Sequence, residues 1–193
     1  MKKAFCILAL VSSIGVAPGL WSGNNVLASE PPSVSGWMEQ FSFTKPPRPA
    51  PQTPFLAGDG TEITLGDFKG RIMLVNFWAT WCAPCVAEMP SLDRLHRRLR
   101  DEGLVVLAVA VDEDADVLRR WVEARRLTLA ILHDPRGRDV AARYGVSGYP
   151  VSFLVDRDGR VLENYVGPVE WDDPAAVAHY RGLLAGRGSD SGR

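Results

Sequence analysis

The sequence predicts an α/β domain, a central mixed β-sheet with helices on both faces, and three observations carry that prediction. Predominantly apolar runs at 72–78 and 151–155 and an unbroken one at 104–111 have the length of buried strands. Stretches with helical apolar spacing fall between and after them, over about 83–100, 115–126 and 173–184. A hairpin signal, Asp156-Arg157-Asp158-Gly159, joins 151–155 to a strand at 160–166 and so adds antiparallel strands to the sheet.

The remaining elements are shorter. A strand at 61–64 leads through a turn at 65–68 to the first central strand, 72–78. The helix after that strand contains Pro90, which is expected to kink it because proline has no N–H to donate. On 115–126, Val117, Leu118, Trp121 and Val122 form one apolar stripe. A short strand at 129–132 and a helix at 138–144 complete the set. The domain is placed at 53–186, with a flexible tail at 187–193.

The stretch ahead of the domain has a different character. Met1-Lys2-Lys3 followed by an apolar stretch to Ala17 reads as the charged and hydrophobic regions of an export signal. Val26-Leu27-Ala28 supplies small residues for cleavage after Ala28, so 1–28 is a signal peptide or, uncleaved, a membrane anchor. Residues 29–52 are rich in proline and are expected to form a semi-rigid linker. Trp37, Met38, Phe41 and Phe43 within it are apolar enough to dock on the domain instead.

Composition narrows the function. A chain of 193 residues, 46% hydrophobic and 23% charged, suits one globular domain plus extensions. Its formal net charge of −1 provides no field for nucleic acid, and none is expected as a partner. Of three cysteines, Cys6 falls in the leader, which leaves Cys82 and Cys85 and no framework of structural disulfides.

Those two cysteines stand where the apolar run ends, in Trp81-Cys82-Ala83-Pro84-Cys85, with a helix opening behind them. Cys82 at a helix N-terminus meets unpaired backbone N–H groups and the positive end of the helix dipole, both of which favour thiolate over thiol. Thiols so placed fall from about 8.5 to between about 3.5 and 7.5, and the thiolate is the nucleophile in disulfide exchange. Cys85, three residues on, lies on the same helix face and within reach for a disulfide. Pro84 fits there because the first turn has no intrahelical partner for its missing N–H.

At these residues the sequence resembles thioredoxins, and more closely their secreted TlpA/ResA-like branch. The likeness runs through Asp67-Phe68-Lys69-Gly70-Arg71, Asn76-Phe77-Trp78-Ala79-Thr80-Trp81-Cys82-Ala83-Pro84-Cys85, Glu88-Met89-Pro90 and Gly145-Val146-Ser147-Gly148-Tyr149-Pro150, over roughly 53–186. It implies a thioredoxin-like fold and an envelope oxidoreductase that reduces protein disulfides through the Cys82/Cys85 dithiol. The redox-active disulfide is then the only prosthetic element, with no further cofactor and no metal. Implied partners are a client protein with a disulfide or cysteine pair and a membrane thiol donor that re-reduces the pair. In that branch the clients include apocytochrome c before haem attachment and a copper-site protein of cytochrome oxidase assembly. The implied location is the periplasm or the outer face of the cytoplasmic membrane, and a monomer is expected. A rival reading makes the pair a soft-metal site that binds and transfers copper without redox turnover.

Other residues take their expected roles from the same likeness. Pro150 precedes a strand and is expected to follow a cis peptide bond facing the cysteines, with the Tyr149 backbone open to an extended substrate and Trp81 covering the pair. Phe77 and Trp78 read as core. Asn76 occupies the position where ordinary thioredoxins carry a buried aspartate for proton transfer. Glu113 aligns with a glutamate that some TlpA/ResA-like proteins hold near their cysteines; half-buried, it would take the Cys85 proton. The acidic run 112–116 reads equally as a cap on the next helix. Arg94, Arg97, Arg98 and Arg100 with His96 form a basic face that reads first as solvated surface. His133 and His179 lack metal-ligand spacing.

Overall fold

The computed structural model describes residues 41–137 and 139–186. Its strands are β1 (Phe41–Pro49), β2 (Phe55–Leu56), β3 (Glu62–Ile63), β4 (Ile72–Trp78), β5 (Leu104–Ala110), β6 (Ala130–His133), β7 (Val151–Val155) and β8 (Arg160–Val166). The α-helices are α1 (Ala83–Leu99), α2 (Ala115–Arg125), α3 (Val140–Tyr144) and α4 (Pro174–Leu184). The expectations for 1–28 and 187–193 lie outside the described residues.

One mixed sheet holds all eight strands in the order β1-β8-β7-β4-β5-β6-β2-β3. β4, β5 and β6 run parallel, while β7, β8 and β1 continue the sheet antiparallel on the other side of β4. All seven residues of β4 are buried, as a central strand covered on both faces must be. The predicted hairpin closes where expected: Asp156 N–H donates to Arg160 O, and Gly159 takes φ 78°, a conformation glycine adopts without the steric penalty other residues face.

The linker expectation is corrected at its C-terminal half. Residues 41–49 are a sheet strand, paired with β8 from Phe41↔Tyr165 to Pro49↔Arg160, with a register shift between Phe43 and Arg48. Proline tolerates this position because β1 is an edge strand and its outer side needs no N–H donor. Beyond β1 the chain stays tied down, since Ala50 is buried and its N–H donates to Gly159 O, and Arg48 donates to Tyr144 O. A chain starting at residue 53 is therefore expected to unfold at lower temperature than one starting at 41. The difference, measured by calorimetry, is about 2–4 °C for each kcal/mol lost; identical midpoints would return 41–52 to the linker.

Smaller differences have local causes. α1 runs unbroken through Pro90 to Leu99. α3 starts at Val140 because the Asp134 carboxylate accepts the N–H groups of Asp139, Val140 and Ala141 and so fixes where the helix begins. On α2 Leu118 is buried and Trp121 and Val122 half-buried, but Val117 is 39% exposed and leaves the expected stripe. Much of the basic face of α1 is occupied: Arg94 holds Asp172 and Glu170, Arg97 holds Asp93, and Arg98 donates to Asp172 O.

Candidate active site

β4 carries the chain to the site. After Trp78, Thr80 is anchored to the buried carboxylate of Asp112: its N–H donates to both oxygens at 3.2 and 3.1 Å, and its hydroxyl donates to Oδ1. Val111 N–H donates to Trp78 O, so the ends of β4 and β5 hold this loop from both sides. The next turn then closes through Cys82 N–H to Ala79 O.

Cys82 is the N-cap of α1, in extended conformation, with Pro84 in the first helical turn. Its Sγ accepts the Cys85 N–H at 3.4 Å, which is how a residue with a side-chain acceptor caps a helix. The two sulfurs form a disulfide, S–S 2.06 Å, with the Cα atoms 5.3 Å apart. Cys82 is 7% exposed and Cys85 0%, so an incoming sulfur meets Cys82 first. Trp81, next to Cys82 in the chain and 67% exposed, meets the Tyr149 ring edge to face at 5.9 Å. The Tyr149-Pro150 peptide bond is cis and Pro150 is buried. Tyr149 is seated through Gly137, where φ is 61° and an added Cβ would lie 2.6 Å from the phenol oxygen. Burial, and next the charge of Asp134, raise the pKa of that phenol, which favours its neutral form.

One residue of this region was not foreseen as functional. Glu88 lies one helical turn beyond Cys85 on the same face of α1 and is 3% exposed. Its Oε1 accepts Asn76 Nδ2 at 2.8 Å, and its Oε2 accepts Val169 N–H at 2.9 Å and Trp171 Nε1 at 3.2 Å. Desolvation outweighs these three donors and pushes the carboxyl up to about 7. Asn76, opposite Ser152 in the β4/β7 register, also donates to Ser152 Oγ at 2.9 Å and so ties the carboxylate to two strands. A buried carboxyl titrating near neutrality is suited to accept and return a proton. The sequence held a signal for it: Glu88 interrupts the buried stripe of Cys85, Met89, Leu92 and Leu95 with a charge.

Glu113 does not take the half-buried position expected of it. It is exposed. The buried carboxylate of that loop is Asp112, committed to Thr80, and the next acidic residue, Asp114, caps α2 by accepting the N–H groups of Asp116 and Val117. Phe77 and Trp78 are fully buried. His133 donates to Asp112 O at 2.7 Å, and His179 pairs with the buried Glu163 at 3.1 Å.

The family model described as AhpC/TSA family matches residues 46–164. The thiol-disulfide oxidoreductase ResA of Bacillus anthracis is 36% identical over 109 residues, 56% of this chain and 62% of that protein. The thioredoxin-like protein YneN of Bacillus subtilis is 36% identical over 111 residues, 56% of this chain and 64% of its own length. The chain thus spans less than two thirds of the length of these curated relatives. Among solved structures, a DsbE-type thiol:disulfide interchange protein of Chlorobium tepidum superposes with a TM-score of 0.64 at 30% identity, over 74% of this chain and 97% of that one. Motif, fold and family match point the same way: the chain belongs to the AhpC/TSA family and has the thioredoxin-like fold of the thiol:disulfide interchange protein it superposes on.

Proposed function

We propose that the chain is an envelope thiol-disulfide oxidoreductase that reduces disulfides in client proteins through Cys82 and Cys85. The observation that carries this reading is the placement of Cys82 Sγ at the N-cap of α1, accepting a backbone N–H, with Cys85 buried behind it. In the reduced protein the same N–H and the helix dipole favour a Cys82 thiolate. That thiolate attacks a client sulfur, breaks the client S–S bond and expels one client thiolate. Cys85 then loses its proton and attacks Cys82 Sγ, which expels the second client thiolate and re-forms the Cys82–Cys85 disulfide. Two electrons pass to the client, and an external thiol donor returns the pair to the dithiol. Glu88, one turn below Cys85 and poised near neutrality, takes the Cys85 proton. Trp81 and Tyr149, the latter set by its cis bond to the buried Pro150, form the surface on which an extended client segment lies.

Clients with a disulfide or cysteine pair follow from this chemistry. The sequence resemblance favours apocytochrome c before haem attachment, and the signal-like N-terminus favours the periplasm or the outer membrane face as the place of work. Among the described residues no helix is long and apolar enough to cross a membrane. Among the described residues no group of three or more His, Cys, Asp or Glu side chains could hold a metal ion.

Equilibration against a dithiothreitol series tests the direction of electron flow. The pair is expected nearer the reducing thioredoxin value of about −270 mV than the oxidising value of about −120 mV. A potential at the oxidising end would make the chain a disulfide donor and overturn the reductase reading.

A further inference from the structure

A cleft of about 390 Å³ is lined by residues of α1 and of the C-terminal end of α2 and the residues after it. Val86, Met89, Trp121 and Leu127 supply its apolar lining, and Trp121 packs on Trp78 at 4.7 Å, so the floor is fixed to the strand that carries the cysteine motif. Four arginines and one aspartate ring it. Two of those arginines are spent within the fold, Arg97 on Asp93 and Arg94 on Asp172 and Glu170. Asp93 is spent as well, accepting Thr128 N–H and hydroxyl at 2.7 Å each.

Arg125 and Arg126 are different. Neither pairs with a carboxylate among the described residues. Arg125 lies over Trp121, 3.8 Å from guanidinium carbon to ring centroid, and donates to Trp121 O, which holds its charge above the indole. Arg126 has φ 51° and ψ 41°, the left-handed position after a helix where glycine ends the helix without strain. It is the one non-glycine residue with positive φ among those described. Backbone strain kept at the rim of a cleft, to present a cation that the fold itself does not use, points to a ligand for that cation.

We propose that this cleft docks an acidic segment of the client polypeptide, its carboxylates on Arg125 and Arg126 and an apolar side chain against Val86 and Leu127. This rests on the oxidoreductase reading above. Val86 follows Cys85 directly on α1, so a segment seated here holds its own chain beside the redox pair. Docking of this kind raises the local concentration of the client cysteines without touching the chemistry.

The test uses the full chain and fluorescence anisotropy of a fluorescein-labelled Glu-Asp-Trp-Leu-Asp-Glu peptide. Saturable binding is expected, weakening several-fold as NaCl rises from about 50 to about 300 mM. Arg125→Gln with Arg126→Gln should weaken it by about tenfold. Arg126→Gly should raise the unfolding temperature and weaken binding together, opposite movements that a structural role for the side chain would not produce. No saturable binding, equal binding of a lysine counterpart peptide, or undiminished affinity in the double variant overturns the docking site. So does arginine-dependent binding to phosphatidylglycerol vesicles that the peptide fails to displace, which would make the cleft a lipid contact. Reduction of 5,5′-dithiobis(2-nitrobenzoate) by the unaltered dithiol protein separates the two readings: its failure sinks the oxidoreductase assignment, whatever the peptide does.

Discussion

Cys85→Ala is expected to turn the protein into a trap. The Cys82 thiolate still attacks a client disulfide, but no second thiol is present to resolve the product, and a mixed disulfide through Cys82 accumulates. Non-reducing electrophoresis of an envelope extract shows it as higher-mass bands that thiol reduction collapses, and mass spectrometry of those bands names the client. Cys82→Ala should give no such bands, because Cys85 is fully buried. The single-cysteine variants also test the order of reaction. A thiol capping a helix falls into the range of about 3.5–7.5, whereas an apolar site holds a thiol at or above about 8.5, so below both values one pH unit of difference means tenfold in thiolate. Iodoacetamide at pH 6 should therefore label Cys82 in Cys85→Ala at least about tenfold faster than Cys85 in Cys82→Ala. Faster labelling of Cys85 would exchange the roles assigned to the two sulfurs.

Glu88→Gln is expected to change how stability depends on pH. The buried carboxyl titrates at about 7 in the fold, against 4.5 as the ordinary value, so the folded protein holds this proton more tightly than the unfolded chain does. Its contribution is constant below about pH 4.5. It is then lost progressively as pH rises through 7, to about 3 kcal/mol when the group is ionised in both states. Glutamine has no proton to lose. Chemical denaturation of the oxidised proteins should thus find the stability difference between parent and variant moving in the variant's favour by about 3 kcal/mol between pH 4.5 and 8. At low pH the variant is expected to be the weaker, since glutamine offers one oxygen to the three donors from Asn76, Val169 and Trp171. In exchange assays the step that slows should be release of the mixed disulfide rather than its formation. A constant stability difference across that range would show that Glu88 is not the group titrating near neutrality.

What the sequence made legible follows physical lines. The central strands were readable because burial on both faces leaves a continuous apolar run, and β4 begins and ends where that run does. The cysteine turn was readable because its chemistry demands one residue order. β1 was hidden because proline masks the alternation of a strand, and an edge strand accepts proline that a central one would refuse. β2 is two residues long and gives no period at all. At the site, Glu113 drew attention through its alignment with a family glutamate, yet it lies exposed while its neighbour Asp112 is the buried member of the acidic run. Glu88, the buried carboxylate beside Cys85 on α1, was quiet in the sequence, a charge inside an apolar stripe whose partners, Asn76, Val169 and Trp171, come from β4 and from the segment after β8.

The pairing of β1 with β8 has a consequence for the order in which the molecule is assembled. Phe41 finds Tyr165 across more than a hundred intervening residues, so the first strand described closes the sheet against the last. Contacts this distant in sequence form late, because the entropy of closing the loop is lost before they return anything. During synthesis β1 waits without its partner until nearly the whole chain exists, and its prolines keep that waiting edge from pairing with a neighbouring molecule. A chain so ordered remains open until its C-terminal third arrives.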